Sequence, residues 1–247
     1  MNITERTTVA EIASALPSSV RVFQSHGIDF CCGGRTPLTL ACEEQGVPFG
    51  EIVEAIEASA RGPQSAERDW TSDSLAALID HIIGTYHHPL RDELPRLESM
   101  ADKASRVHGA KAPQLTRLAT IVAELSSDLQ LHMRKEELVL FPAIRRLEAR
   151  FAPPDLRLGG ATMVMEQEHD NAGALLSELR VIADDYVAPE WACETLRALY
   201  HGLSELEAAM HVHVHLENNI LFPRALALEA SLRSAAPRSF QTSEVKK

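Results

Sequence analysis

Aromatic residues are scarce in this chain, only 5% of 247, and the apolar content of 45% comes mostly from Leu, Ala, Ile and Val. That filling suits packed helices better than a β-sandwich. Cysteines number four, two of them adjacent, too few for a disulfide framework and better suited to redox or metal chemistry in a reducing compartment. Basic residues are outnumbered, 24 Lys and Arg against 35 Asp and Glu, for a net charge of −11, which argues against a nucleic-acid partner. No stretch approaches the roughly 18 uncharged apolar residues of a membrane span. The start, "MNITERTTVAEIASALPSS", has no basic region followed by an apolar run, so no secretory signal is visible and a cytoplasmic protein is expected.

What is present divides into two pieces. "ARGPQSAERDWTSD" (60–73) interrupts the periodic pattern with Gly, Pro and polar residues. The expected organisation is a small helical domain over 1–60, a linker over 61–72, a helical bundle over 73–231 and a disordered tail over 232–247. The small domain shows short helical patterns near 8–15, 18–26, 37–45 and 48–60. The larger piece shows four long ones, near 72–107, 113–149, 160–184 and 189–231.

The long segments are duplicated. The second carries a stripe of Leu115, Leu118, Val122, Leu125, Leu129, His132, Glu136 and Leu140. The fourth carries Leu196, Leu199, Leu203, Leu206, Met210, His213, Glu217 and Leu221, each 81 residues from its mate, and both stripes close with "LFP". The first and third match at an offset of 82: Ile79, Ile83, His87, Leu90, Leu94, Leu97 and Ala101 against Ala161, Met165, His169, Ala172, Leu176, Leu179 and Ala183. Two helical hairpins of this kind assemble naturally as an antiparallel four-helix bundle, so the fold class is all-α. The register also sorts the alternating histidines of "MHVHVHLENNILFP". His213 lies on the stripe, whereas His211 and His215 are turned about 200° from it at roughly 100° per residue. They are expected on the surface, where as an i, i+4 pair they could take adventitious zinc. His81, His88, His108 and His201 have no matching partner on a stripe.

Six polar residues thus fall on core positions: His87, His132, Glu136, His169, His213 and Glu217. One such histidine is usually a hydrogen-bonded core residue. Six in two matched sets, with no Lys or Arg on the stripes beside two buried carboxylates, point to metal, because unpaired buried charge is very costly. Four imidazoles and two carboxylates suit two ions with each glutamate bridging. They leave coordination positions for oxygen, water or a small diatomic, and the donor set alone admits Fe, Mn, Co or Zn. Glu168, beside His169, and Asp128, one turn before His132, are candidates to orient an imidazole or relay a proton; a solvated helix face is the alternative for each.

The small domain holds "HGIDFCCGGRTPLTLAC". Thr36 and Pro37 read as the cap and first position of a helix, and amides of the Gly33–Gly34 turn are expected to stabilise a thiolate on Cys31 or Cys32. Adjacent cysteines make a strained ring if bridged, so a redox, metal or partner-binding role is expected of the pair, with burial in a small core as the alternative. Cys42 and Cys193 are expected to be inert.

"DFCCGG" followed by "TYHH", "LHMRKEELVLFP", "MEQEHDNAGALL" and "HVHLENNILFPRAL" resembles the iron–sulfur cluster repair di-iron proteins, the Repair of Iron Centres family. These join a ScdA-like N-terminal domain to a hemerythrin-like domain, and the likeness runs over nearly the whole chain. It implies that His87, His132, Glu136, His169, His213 and Glu217 hold two iron ions, bridged by the glutamates and an oxo or hydroxo group. It implies repair of iron–sulfur proteins whose clusters nitric oxide or oxidants have damaged, through iron donation, nitric oxide reduction or both, and a dimer formed through the small domain. Glu168 matches a glutamate of the family beside the metal ligands; Asp128 stands where the family has a longer glutamate. Pro89, two residues after His87, removes a helical amide near a ligand. Competing readings are an oxygen- or nitric oxide-binding hemerythrin-like carrier or sensor, a nitric oxide reductase, and a structural zinc bundle.

Overall fold

The computed structural model describes residues 1–61, 69–153 and 155–235; most of the expected linker, 62–68, and the last twelve residues lie outside them. Every regular element among the described residues is helical. The small domain consists of α1 (Val9–Ala15), α2 (Ser19–Ser25), α3 (Leu38–Gln45) and α4 (Phe49–Arg61). Thr8 and Glu11 form a reciprocal capping box at the start of α1, which satisfies two otherwise unpaired amides. Helix α3 departs from expectation by one residue. Pro37 is its cap and Leu38 its first residue, because Thr36 and Pro37 lie extended against the start of α1: the Leu38 amide donates to the Thr7 carbonyl and the Val9 amide to that of Thr36.

Four rods make the bundle. The first runs through α5 (Leu75–Ile82), a π-helical turn (Ile83–His87) and α6 (His88–His108). The second comprises α7 (Gln114–Lys135), a π turn (Glu136–Leu140) and α8 (Phe141–Glu148). The third is α9 (Gly159–Ile182). The fourth comprises α10 (Glu194–His215), a π turn (Leu216–Leu221) and α11 (Phe222–Ala235). This last rod starts five residues later than its apolar pattern begins. Asp184, Asp185 and Tyr186 take left-handed backbone angles after α9, and the chain turns again at Pro189–Ala192 before it can enter a helix. It ends four residues later than expected, since α11 continues through 232–235.

The three π turns have one sequence cause. Each ends two residues before a proline (Pro89, Pro142, Pro223), which cannot donate to the carbonyl one α-turn back. The chain widens instead, and the amide preceding each proline bonds five residues back: His88 to Ile83, Phe141 to Glu136, Phe222 to Glu217. Pro89 therefore widens the first rod at His87 and does not break it.

The duplication extends to the ends of the rods. Glu148, at the end of α8, accepts the amides of Leu75 and Ala76 at 2.7 and 2.9 Å, an anion placed on the start of α5. Its repeat-mate Glu229 accepts the Leu158 amide at 3.0 Å at the start of α9. Apolar packing forms three clusters. One fills the small domain around Phe23, Phe30, Ile52 and Ile56. Two fill the bundle, one around Leu97, Leu125, Leu179 and Leu203, the other around Ile79, Phe141, Leu221 and Phe222. The six polar stripe residues lie in the belt between these two.

Candidate metal centre

The wide turns deliver the side chains to that belt. His87 closes the first π turn, Glu136 opens the second, and Glu217 lies in the third, with His132 and His213 one turn earlier on α7 and α10 and His169 on α9. All six are buried, both glutamates completely. Their inward atoms converge as two groups: His87 and His213 with Glu136 and Glu217, and His132 and His169 with the same two glutamates, each group with its ligand atoms within 4.8 Å of one another. Nε2 of His87 lies 3.2 Å from Nε2 of His213, and Nε2 of His169 lies 3.0 Å from that of His132. Nitrogens bound at right angles to one ion through bonds of roughly 2.1 Å would stand about that far apart.

The outward ring nitrogens identify the tautomers. Nδ1 of His87 donates to Glu137 Oε1 (2.8 Å), that of His132 to Glu168 Oε2 (3.0 Å), and that of His169 to Asn218 Oδ1 (2.8 Å). With Nδ1 carrying the proton, each Nε2 presents a lone pair inward. Paired lone pairs facing each other, and a fully buried Glu136 that makes no hydrogen bond and has the Nε2 atoms of His87 and His132 3.4 Å from one oxygen, call for positive charge between them. The donor set therefore fits two cations sharing two carboxylates. Phe141 and Phe222, the phenylalanines of the two LFP segments, stack on His87 and His169.

Electrostatics without a cation tell the same story. Burial disfavours the His132 cation, yet the charge of Glu136 and the contacts with Glu136 and Glu168 lift its pKa to about 9. His87 is also raised, again against burial, by Glu136, Glu217 and Glu137. Burial opposes ionisation of Glu217 as well, but His213 and His169 hold it well below the usual carboxylate range. The carboxylates thus draw protons onto the imidazoles where ions would otherwise sit.

Glu168 does meet His132 and also pairs with Lys135. Asp128 does not join the centre: it is exposed on α7, and the His132 nitrogen it was expected to orient is taken by Glu168. Glu137 and Asn218 were missed, although they follow Glu136 and Glu217 by one residue at the repeat offset of 81 and so carried a readable signal. Glu137 is itself held by Arg91.

His215 and the cysteine turn need correction. His215 is buried, not on the surface: its Nδ1 donates to the Phe30 carbonyl at 3.1 Å, and its ring meets Phe30 edge-on. Burial lowers its pKa to about 4, so the ring is neutral. The face opposite the stripe is covered by the small domain, which leaves no exposed His211–His215 zinc pair. Asn219 adds amide bonds to the carbonyls of Phe30 and Cys31. The Gly33 amide, expected to favour a thiolate, is instead accepted by Asp29, which also takes the amides of Cys31 and Cys32. Cys31 is buried, and contact with Cys32, desolvation and the charge of Asp29 raise its pKa well above the ordinary thiol value. Its thiol donates to Asp29 Oδ1 at 3.2 Å, with Cys32 Sγ 3.8 Å away. Beneath the pair a cavity of about 1000 Å³ opens between the domains, reaching His169, Glu207 and His211.

Comparison with known proteins adds the relatives. The hemerythrin HHE cation binding domain matches residues 78–225, and the ScdA N-terminal domain, a domain of unknown function (DUF542), matches residues 5–60. The chain is 38% identical over 219 residues to the iron-sulfur cluster repair protein YtfE of Yersinia pseudotuberculosis serotype IB (strain PB1/+), covering 89% of this chain and 96% of that one. It is equally similar, over the same lengths, to the protein of that name from Yersinia pestis (strain Pestoides F). With its two matched domains and a likeness running through both, the chain belongs to the family of iron–sulfur cluster repair proteins that carry a hemerythrin HHE domain.

Proposed function

We propose that this protein restores damaged iron–sulfur clusters, using a di-iron centre held by His87, His132, Glu136, His169, His213 and Glu217. The observation that carries the reading is the pair of four-residue groups sharing both glutamates, inside a hemerythrin domain that follows a ScdA-type domain. Its clients are iron–sulfur proteins, and the cytoplasm is the compartment this reading assigns; among the described residues no helix is long and apolar enough to cross a membrane.

When bound, the iron pair supplies exchangeable ferrous iron and a redox-active site for a small ligand such as nitric oxide or oxygen. The protein's own groups do the rest. Glu137, Glu168 and Asn218 hold three imidazoles by their outer nitrogens, fixing which nitrogen faces inward. The apolar clusters above and below the belt exclude water, and Leu140 and Leu221 close it one turn beyond each glutamate. Cys31 and Cys32 line the interdomain cavity, and their thiols are the groups this reading assigns to contact with a client protein.

The test is anaerobic purification followed by iron analysis, Mössbauer spectroscopy and a repair assay. Two irons per chain in a spin-coupled pair, and faster recovery of a nitric-oxide-damaged [4Fe–4S] enzyme with loaded protein than with apoprotein, are expected. Equal recovery with the apoprotein would remove the centre from the repair function. Reversible oxygen binding without repair would return the protein to the carrier reading.

A further inference from the structure

The duplicated bundle makes each residue around the centre comparable with a mate. His132 and His213 are mates, as are Glu168 and Tyr86, and Lys135 and Leu216. In one half, His132 donates to Glu168, which Lys135 holds in turn. In the other, the partner position is a phenol ring lying parallel to His213, centroids 5.2 Å apart and planes 5° apart. A stacked ring covers the face of an imidazole, whereas an acceptor for Nδ1 must lie near the imidazole plane. His213 Nδ1 accordingly has no partner although the residue is 1% exposed. The ion position of His132 and His169 therefore has both imidazoles anchored; that of His87 and His213 has one.

Resting on the di-iron reading, we propose that the two ion positions are unequal, and that the His87–His213 position is the weaker one, from which iron leaves first. Acceptors on the outer nitrogen of a ligating histidine fix its orientation and strengthen it as a donor, and removing one lowers metal affinity on the order of 10–100-fold. Tyr86 is the determinant. It is also the one residue lining both of two cavities on this side, of about 170 and 510 Å³, so its ring forms the wall between solvent-connected space and the His213 ligand. A repair protein that gives up iron gains from this arrangement. One iron is yielded readily, while Glu168 keeps the other in place.

The experiment follows iron release from full-length, anaerobically loaded diferrous protein into excess ferrous chelator by stopped-flow absorbance. Two phases of one iron each, with rates at least about tenfold apart, are expected. Tyr86→Glu supplies the missing acceptor and should slow the fast phase toward the slow one, whereas Tyr86→Phe should leave both phases unchanged. Glu168→Gln, which keeps shape but weakens the acceptor, should speed only the slow phase. Release of both irons in one phase, or an unchanged fast phase in a two-iron Tyr86→Glu protein, overturns the inequality while leaving the di-iron reading standing. If Tyr86→Glu fails to fold, an unchanged slow phase in Glu168→Gln overturns it instead. A wild-type chain that never holds two irons overturns both.

Discussion

The metal belt and the thiol loop docked against it are two buried polar clusters that share one turn of chain, Leu216–Leu221, yet are built on opposite logics. The belt occurs twice. Each ligand has a mate, the acceptors Glu137 and Asn218 occupy matched positions, only Glu168 faces an unlike mate in Tyr86, and even the caps Glu148 and Glu229 repeat. The docking site occurs once. It rests on His215, the last residue before that turn, which reaches the Phe30 carbonyl, and on Asn219 within it, which reaches the carbonyls of Phe30 and Cys31. Alternate residues of one helix therefore serve different clusters: His213 and Glu217 face the belt, His215 and Asn219 face the small domain. A buried histidine close to a metal ligand in sequence need have nothing to do with the metal.

The largest effect should come from setting His213 against His215. His213→Ala removes an inward nitrogen and should cost at least one iron per chain, read by metal analysis. His215→Ala removes a bond to a backbone carbonyl and a ring packed on Phe30, costing roughly 1–3 kcal/mol of domain docking while both irons remain. Loss of iron in both variants to the same extent would erase the distinction between the clusters.

This difference also governs what could be read from the sequence. The belt was legible because two stripes with identical steps check each other, so the register of His132 and Glu136 follows independently from His213 and Glu217. Bundle topology and ligand convergence then follow from periodicity alone. The docking contacts have no such control. A helix face opposite the core stripe reads as solvent-facing until a second domain covers it, which is why His215 was expected at the surface. The Asp29 cradle was equally hidden. Amides near a thiol predict a thiolate only when no nearer anion takes them, and Asp29 sits two residues away. Pro89 was recognised as a disturbance, but that it would be absorbed by a π turn became clear only once the same turn stood before Pro142 and Pro223.

Metal removal should expose the charge stored in the belt. In the apoprotein His132 has a folded pKa raised to about 9, above the ordinary value of 6.5. Its contribution is thus fully present below pH 6.5 and lost as pH rises through 9, on the order of 3 kcal/mol over that range. His87 acts in the same sense, while the lowered pKa values of Glu136 and Glu217 contribute stability above pH 4.5 that is lost on acidification. Apoprotein stability should therefore peak between about pH 5 and 6.5 and fall toward pH 9, measured by urea titration. The iron-loaded protein should hold its stability on the alkaline side, because the ions replace those protons. An apoprotein as stable at pH 9 as at pH 6 would show that the belt protons are not what hold it together. The docking cluster moves the other way: His215, lowered to about 4, contributes above pH 6.5 and weakens docking as pH falls.

The smallest effect, and the sharpest on the boundary between the clusters, should come from Gly34. It is buried where the cysteine turn meets both α1 and the fourth rod. A Cβ there would stand 2.8 Å from the Ala10 Cβ, 2.9 Å from the Phe30 carbonyl oxygen and 3.2 Å from Asn219 Oδ1. The Phe30 oxygen is backbone and already accepts from His215 and Asn219, so it cannot retreat without loosening those bonds. Asn219 is a movable side chain, but its amide also holds Cys31. Gly34→Ala should consequently cost about 1–3 kcal/mol through overpacking, concentrated in the docking and not in the bundle. Gly33→Ala should behave differently, because its Cβ would stand 3.0 Å from Asp29 Oδ2, the oxygen that accepts the Gly33 amide, so the strain falls on the Asp29 cradle around Cys31 and Cys32 and not on the contacts with the fourth rod. The expected signature of Gly34→Ala is a larger radius of gyration by small-angle X-ray scattering, with two irons and an unchanged Mössbauer spectrum. If the variant instead lost iron, the Leu216–Leu221 turn would be transmitting the disturbance from Asn219 to Glu217, and the two clusters would have to be treated as one.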